Sequence, residues 1–272
     1  MITITDINDP RLDIFTKASE TDLAHYYEPK PGLFIAESLK VLTRAIAAGY
    51  VPLTALVEKA KATEVLAILS NYPDINVFTA EFEVLTLITG YHMTGGVLCI
   101  MKRRPLQTLE EICQGKTRIA LLEDVVNPTN VGAIMRNAAA LNIDAVLLSP
   151  GCADPLYKRA IRVSMGTVFQ IPWTILPGKA EDWQEEIMPR LKERGFATVA
   201  MALKEDSLSI NDDRISKEEK LIIMLGSEGN GLKDSTLSHS DYTVMIPMSH
   251  GVDSLNVAAA SALAFWELGN NK

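Results

Sequence analysis

The chain reads as an α/β protein in which a mainly parallel sheet, with helices on both faces, is preceded by a small α/β domain. Three observations predict this. Short apolar runs alternate with amphipathic stretches of helical spacing in two blocks, 33–101 and 119–268, and strands separated by helices imply parallel crossovers. Between the blocks, 102–118 is charged, holds Pro105 and Gly115 and interrupts the periodicity, as a linker does. Finally, three Gly/Asn/Ser-rich segments fall where strand patterns of the second block run out. Ligand sites in α/β folds lie at the carboxyl ends of strands, so these segments predict one composite site.

Taken in order, the first block predicts strand 33–36, helix 38–48, strand 51–57, helix 63–71, strand 76–79, helix 80–89 and strand 96–101. Gly49 and Asn71-Tyr72-Pro73 punctuate it. The second block predicts strand 119–123, helix 132–141, strand 144–148, helix 156–164, strand 168–175, helix 180–194 and strand 197–201. Strands 221–225 and 242–246 and helix 254–268 complete it, and the polar stretch 206–220 reads as a loop.

Composition narrows the function. The chain has 272 residues, 47% hydrophobic and 22% charged, enough for two cores and not the composition of a disordered protein. No basic region followed by an apolar core opens it, and the longest uncharged helical run, 254–266, is too short to span a bilayer, so a cytoplasmic protein without a membrane partner is expected. Cys99, Cys113 and Cys152 are odd in number and far apart, and His25, His92, His239 and His250 show no ligand spacing; neither a disulfide framework nor a metal is expected. The net charge of −8 opposes a polyanionic partner, because phosphate binding is driven largely by Lys and Arg. Lys102-Arg103-Arg104, Lys116 with Arg118, and Lys158-Arg159 with Arg162 could still form local patches.

The first of the three segments is Asn127-Pro128-Thr129-Asn130-Val131-Gly132, leading to Arg136. Asn127 and Asn130 are natural helix caps and Pro128 a rigid turn. Arg136 sits among alanines on the side read as inward, which would require an anionic partner. The second, Leu225-Gly226-Ser227-Glu228-Gly229-Asn230-Gly231, has the order G-x-x-G-x-G, which is neither a dinucleotide fingerprint nor a P-loop. Its glycines let backbone approach a ligand. The third runs from Ile246-Pro247-Met248 through Gly251 to Ser254-Leu255-Asn256, with Ser254 read as the helix cap. Its mixture of apolar residues and Asn256 suits a flat ligand held by main-chain hydrogen bonds between apolar walls.

In this order the segments resemble the signature motifs of the SpoU (TrmH) family of RNA 2′-O-ribose methyltransferases, within the SPOUT superfamily, over 119–268. Residues 32–101 resemble that family's N-terminal domain through Phe34-Ile35-Ala36-Glu37-Ser38 and Gly95-Gly96-Val97-Leu98. The resemblance implies an RNA substrate-binding domain (1–101), a linker (102–118) and a SPOUT methyltransferase domain (119–272) with a C-terminal trefoil knot. It also implies S-adenosyl-L-methionine as cofactor, a homodimer that completes the site, and RNA as substrate, ribosomal ahead of transfer RNA. By motif position, Gly226, Ile246 and Leu255 would contact the cofactor, with Leu225 and Met248 lining its pocket. Asn130, Arg136, Glu228, Ser254 and Asn256 fall on catalytic or substrate-orienting positions. Departures are Asn127 where many members have Asp, Ser38 where many have Gly, and Gly95 where many have Gln. Two other readings stay open: a non-catalytic RNA-binding or assembly factor that kept the fold, and a methyltransferase of a small molecule or protein, which the net acidity would suit.

Overall fold

The structure, a computed structural model, describes residues 1–90, 95–181, 183–204, 206–250 and 252–269; His92 and Gly251 lie outside them. The chain divides into two compact units, one formed by 1–105 with 156–169, the other by 106–155 with 170–272.

The first unit carries β1 (Ile2–Thr3), β2 (Leu33–Glu37), β3 (Val51–Glu58), β4 (Asn76–Ala80) and β5 (Val97–Lys102), in the order β1-β4-β3-β5-β2. β4 is parallel to β1 and β3, whereas β5 runs antiparallel between β3 and β2. Successive residues of a strand face opposite sides. Leu33 and Ile35 accordingly join a core with Leu12, Leu23, Leu56, Phe78 and Ile100, while Phe34 meets Tyr50 and Phe169 at ring-centroid distances of 5.2 Å and 5.6 Å. Phe169 ends the 156–169 stretch, which sequence periodicity attaches to the second block. The aromatic cluster, together with an Arg44 Nη1 hydrogen bond to the Met165 carbonyl at 2.6 Å, places that stretch in the first unit.

The second unit is a seven-stranded sheet in which every pair is parallel: β6 (Arg118–Leu122), β7 (Ala145–Leu148), β8 (Trp173–Ile175), β9 (Ala197–Met201), β10 (Leu208–Ser209), β11 (Leu221–Leu225) and β12 (Tyr242–Met245), in the order β10-β12-β9-β11-β6-β7-β8. Ile119, Leu121, Ile222 and Met224 pack with Leu109 and Ile112 of the Leu109–Cys113 helix and with Ile187, Met188 and Leu191 of the Trp183–Glu193 helix. The alternating residues Ala120, Leu122, Ile223 and Leu225 are equally buried, as expected when both faces of a parallel sheet are covered. The Pro128–Ala140 helix lies along the Val257–Leu268 helix, and Asn137 Nδ2 donates to Ala258 O at 2.8 Å and to Ser261 Oγ at 2.9 Å. Arg118 is consumed structurally: its guanidinium donates to the carbonyls of Thr117, Glu218, Glu219 and Leu268, and burial lowers its pKa.

Several expectations are corrected. The 102–118 stretch holds the Leu109–Cys113 helix, opened by a capping box between Thr108 and Glu111. The 206–220 stretch holds β10 and the Asp213–Ser216 helix. An Asp234–His239 helix, β1 and two helices before residue 25 had no counterpart in the sequence reading. Helices of four to six residues are too short to display a 3.6-residue period. The strand expected over 168–175 is a short 3-10 turn, Thr167–Phe169, followed by β8 beyond Pro172; proline has no N–H to give to a ladder.

Ser38, one of the residues at which the resemblance fails, has a local cost. Ser38 opens the Leu39–Ala47 helix with φ 88°, a backbone region suited to glycine. Gly95 lies directly on it, where an added Cβ would come within 2.8 Å of the Ser38 Cα and Cβ. Ser38 caps Val41 N only at 3.4 Å. Ser38→Gly should therefore raise stability by about 1 kcal/mol, strain relief outweighing a weak cap; an unchanged or lower urea midpoint would contradict this.

Candidate active site

The carboxyl ends of β9, β11 and β12 surround a cavity of about 440 Å³, within the size range of small-molecule sites. Its apolar walls come from Leu225, Leu232, Val244, Ile246, Met248 and Leu255, and the backbone of 226–231 forms a further wall. That wall is a tight reversal. Ser227 N donates to Gly231 O at 3.1 Å and Gly231 N to Ser227 O at 3.0 Å, with Gly231 at φ 66°. A Cβ on Gly226 would meet the Gly231 carbonyl and the Leu232 amide at less than 3.0 Å. Glycine is therefore required at 226 by the loop's own backbone, before any ligand is considered.

A second cavity of about 430 Å³ shares the 227–231 wall and is otherwise lined by 124–127, Asn130 and Lys233. Glu228 borders both cavities. Asn256 joins it to the first motif: Asn256 Nδ2 donates to Glu228 Oε1 and, at 3.4 Å, to Asn130 Oδ1. The helix start explains this orientation. Asn256 Oδ1 accepts from Ala258 N at 2.9 Å and Ala259 N at 3.4 Å, so the cap uses the oxygen and leaves the NH₂ for the site. The cap is thus Asn256, not Ser254 as expected from sequence; Ser254 precedes the helix on the rim of the first cavity.

Nine of the ten residues singled out from sequence fall together. Leu225, Gly226, Glu228, Ile246, Met248, Ser254 and Leu255 line the first cavity, Asn130 the second, and Asn256 links the two. Arg136 is the exception. It is exposed rather than inward, lines neither cavity, and its guanidinium has no partner among the described residues. Helical geometry accounts for this: six residues beyond Asn130 the side chain is turned by about 240° and advanced by roughly 9 Å. Alanine neighbours report close helix packing, but not on which side of the helix Arg136 lies.

Residues missed from sequence include Met201, which ends β9, and 202–204 beyond it, which line the first cavity and which the carboxyl-end rule could have found. Glu123 was also missed, although a carboxylate ending an otherwise apolar strand is a visible signal. Burial disfavours the thiolate of all three cysteines, pushing Cys99 up to about 12 and Cys113 and Cys152 up to about 11. Among the described residues no group of three His, Cys, Asp or Glu is arranged to hold a metal, and no helix is long and apolar enough to cross a membrane.

Comparison with known proteins matches residues 117–266 to the SpoU rRNA Methylase family. The chain belongs to that family. An uncharacterised tRNA/rRNA methyltransferase of Mycobacterium bovis is 37% identical over 265 residues, covering 97% of this chain and 90% of the relative. The 23S rRNA (guanosine-2′-O-)-methyltransferase RlmB of Nitrosomonas europaea is 30% identical over 204 residues, 73% of this chain and 75% of the relative. The crystal structure of an AdoMet-bound rRNA methyltransferase from Sinorhizobium meliloti superposes with a TM-score of 0.77 at 24% identity, covering 98% of this chain and 96% of that one.

Two glycines of the same loop give a paired test of its geometry. Gly226→Ala must displace the facing peptide and should cost at least about 2 kcal/mol, whereas Gly229→Ala, whose added Cβ meets nothing within 4 Å, should stay within about 0.5 kcal/mol. Equal melting temperatures for the two variants would refute the close approach.

Proposed function

We propose that this protein transfers a methyl group from S-adenosyl-L-methionine to a ribose 2′-hydroxyl of structured RNA, ribosomal in first place, and acts in the cytoplasm. The observation that carries the reading is the convergence of three remote segments on one cavity: apolar walls and bare backbone from the second and third, and a hydrogen-bonded trio of Asn130, Glu228 and Asn256 joining all three. Family membership supports methyl transfer. The AdoMet bound in the Sinorhizobium meliloti protein and the guanosine 2′-O activity in the name of the Nitrosomonas europaea relative support the cofactor and the acceptor.

The cofactor's sulfonium supplies an already activated methyl group. The chain's own residues would do the rest. Leu225, Ile246, Met248 and Leu255 exclude water around an apolar ligand face, and the backbone near Gly226 offers main-chain hydrogen bonds. Glu228, held by Asn256, presents a carboxylate toward a hydroxyl-bearing acceptor, with Asn130 and Ser254 as further orienting groups. A guanidinium is always protonated and makes a poor base. We assign Arg136 instead to gripping the target phosphate and stabilising the developing alkoxide.

Because Arg136 lines neither cavity of its own chain, the reading includes a homodimer in which a second copy brings its Arg136 to this site. An exposed stripe of Ala259, Leu263 and Trp266 on the Val257–Leu268 helix, beside the helix that carries Arg136, offers an apolar contact for that copy. The reading also includes a trefoil knot formed as the chain passes from β11, inserted between β6 and β9, to the C-terminal helix, and an RNA-binding role for the N-terminal unit.

Transfer of tritiated methyl from S-adenosyl-L-methionine to total RNA, with a protein extract as the control acceptor, tests the function; label in protein alone would refute it. Mapping 2′-O-methylation in cells with and without the gene would then identify the nucleotide. Arg136→Lys keeps the charge but loses the planar two-pronged grip, so its methylation rate should fall by about 100-fold or more. Near-normal turnover would remove Arg136 from this role.

A further inference from the structure

We infer that Glu123 is a positioning residue, a buried carboxylate that fixes where the Gly226–Gly231 loop leaves the cofactor cavity; the assignment rests on the methyltransferase reading. Glu123 directly follows β6, is fully buried and donates its N–H to Leu225 O of neighbouring β11 at 2.9 Å. It lines neither cavity. Among the described residues it forms no ion pair, and the Lys233 ammonium goes to Asp124 at 2.8 Å. Three neutral donors satisfy it instead. Oε1 accepts from the Trp183 indole at 3.1 Å and the Thr236 hydroxyl at 2.7 Å, and Oε2 accepts from the Lys233 backbone N–H at 2.9 Å.

These donors belong to the Trp183–Glu193 helix, the Asp234–His239 helix and the residue where the loop ends. The loop is thereby held at both ends, by β11 at Leu225 and by Glu123 at Lys233. Glu228 and Leu232, which border the cofactor cavity, lie between the anchors. A buried carboxylate is costly unless its oxygens are hydrogen-bonded, and only a carboxylate presents acceptors on both sides. In Glu123→Gln, an oxygen kept toward Trp183 and Thr236 sets the NH₂ against the Lys233 N–H, donor against donor. The flipped amide instead sets its NH₂ against the Trp183 N–H, which can only donate. Glu123→Asp keeps the charge but is one methylene too short to reach Lys233.

Calorimetry with S-adenosyl-L-methionine, methylation kinetics and amide hydrogen exchange test the assignment. Both Glu123 variants should bind the cofactor about tenfold more weakly or worse, with KM for it raised in parallel and kcat much less affected. Exchange across 227–233 should quicken. Thr236→Val, which removes a donor from Oε1 only, should bind within about twofold of wild type. Should Glu123→Gln fail to fold, Glu123→Asp carries the test. Folded Glu123 variants with wild-type affinity and exchange would overturn the inference, as would a Thr236→Val loss equal to theirs. Wild-type protein that binds no S-adenosyl-L-methionine would instead overturn the methyltransferase reading, while the exchange comparison would still decide the role of Glu123.

Discussion

Where β11 ends, the chain turns back so closely that the Gly226 α-carbon lies against the Gly231–Leu232 peptide with no room for a Cβ, and the two sides of the reversal are tied by paired backbone hydrogen bonds between Ser227 and Gly231. From this contact the rest of the site follows. It turns the end of a buried strand into a thin wall of backbone, with one cavity bordered by the apolar ends of β9 and β12 and another by the start of the Pro128–Ala140 helix. It also places Glu228 within reach of both, where a bulkier loop would push that side chain away.

The wall is held by polar groups hydrogen-bonded across neighbouring elements. Asn256 caps its helix with its oxygen and spends its NH₂ on Glu228 and Asn130. Glu123 holds the exit of the loop, and Asp124 with Lys233 ties down the adjoining turn. At the buried Glu123 this specifies a single arrangement, because a slip there leaves a donor or acceptor unpaired in a low-dielectric setting. Pre-organised groups of this kind are what methyl transfer would require of the protein, since the donor brings its own reactivity.

Charge takes on a different meaning once the fold is known. The chain carries a net −8, and several arginines that sequence clusters offered to RNA are engaged with the protein. Arg118 satisfies four carbonyls, Arg103 donates to Leu33 O, and Arg104 donates to Ala48 O and lies over Tyr50. Arg136 and Arg162 are exposed. On the proposed function, RNA binding would rely on shape and a few well-placed cations rather than on a broad basic face.

Strands and motif segments were legible because their signals are local. An apolar run such as 221–225 must be buried, and Gly226, Asn256 and Glu228 belong to residue types with few alternative uses at strand ends and helix starts. By itself, then, the sequence determined the α/β class and the positions of most strands, and it singled out nine residues that the structure gathers around two adjoining cavities. Tertiary structure decided the rest: that 156–169 packs on the aromatic face of the first sheet, that Asn256 rather than Ser254 caps the last helix, that Arg136 faces outward, and that Glu123 holds the loop. Each depends on which of several locally acceptable partners is nearest in space. Periodicity shows that a side chain has an inner and an outer side, but only packing between distant segments selects which neighbour it meets.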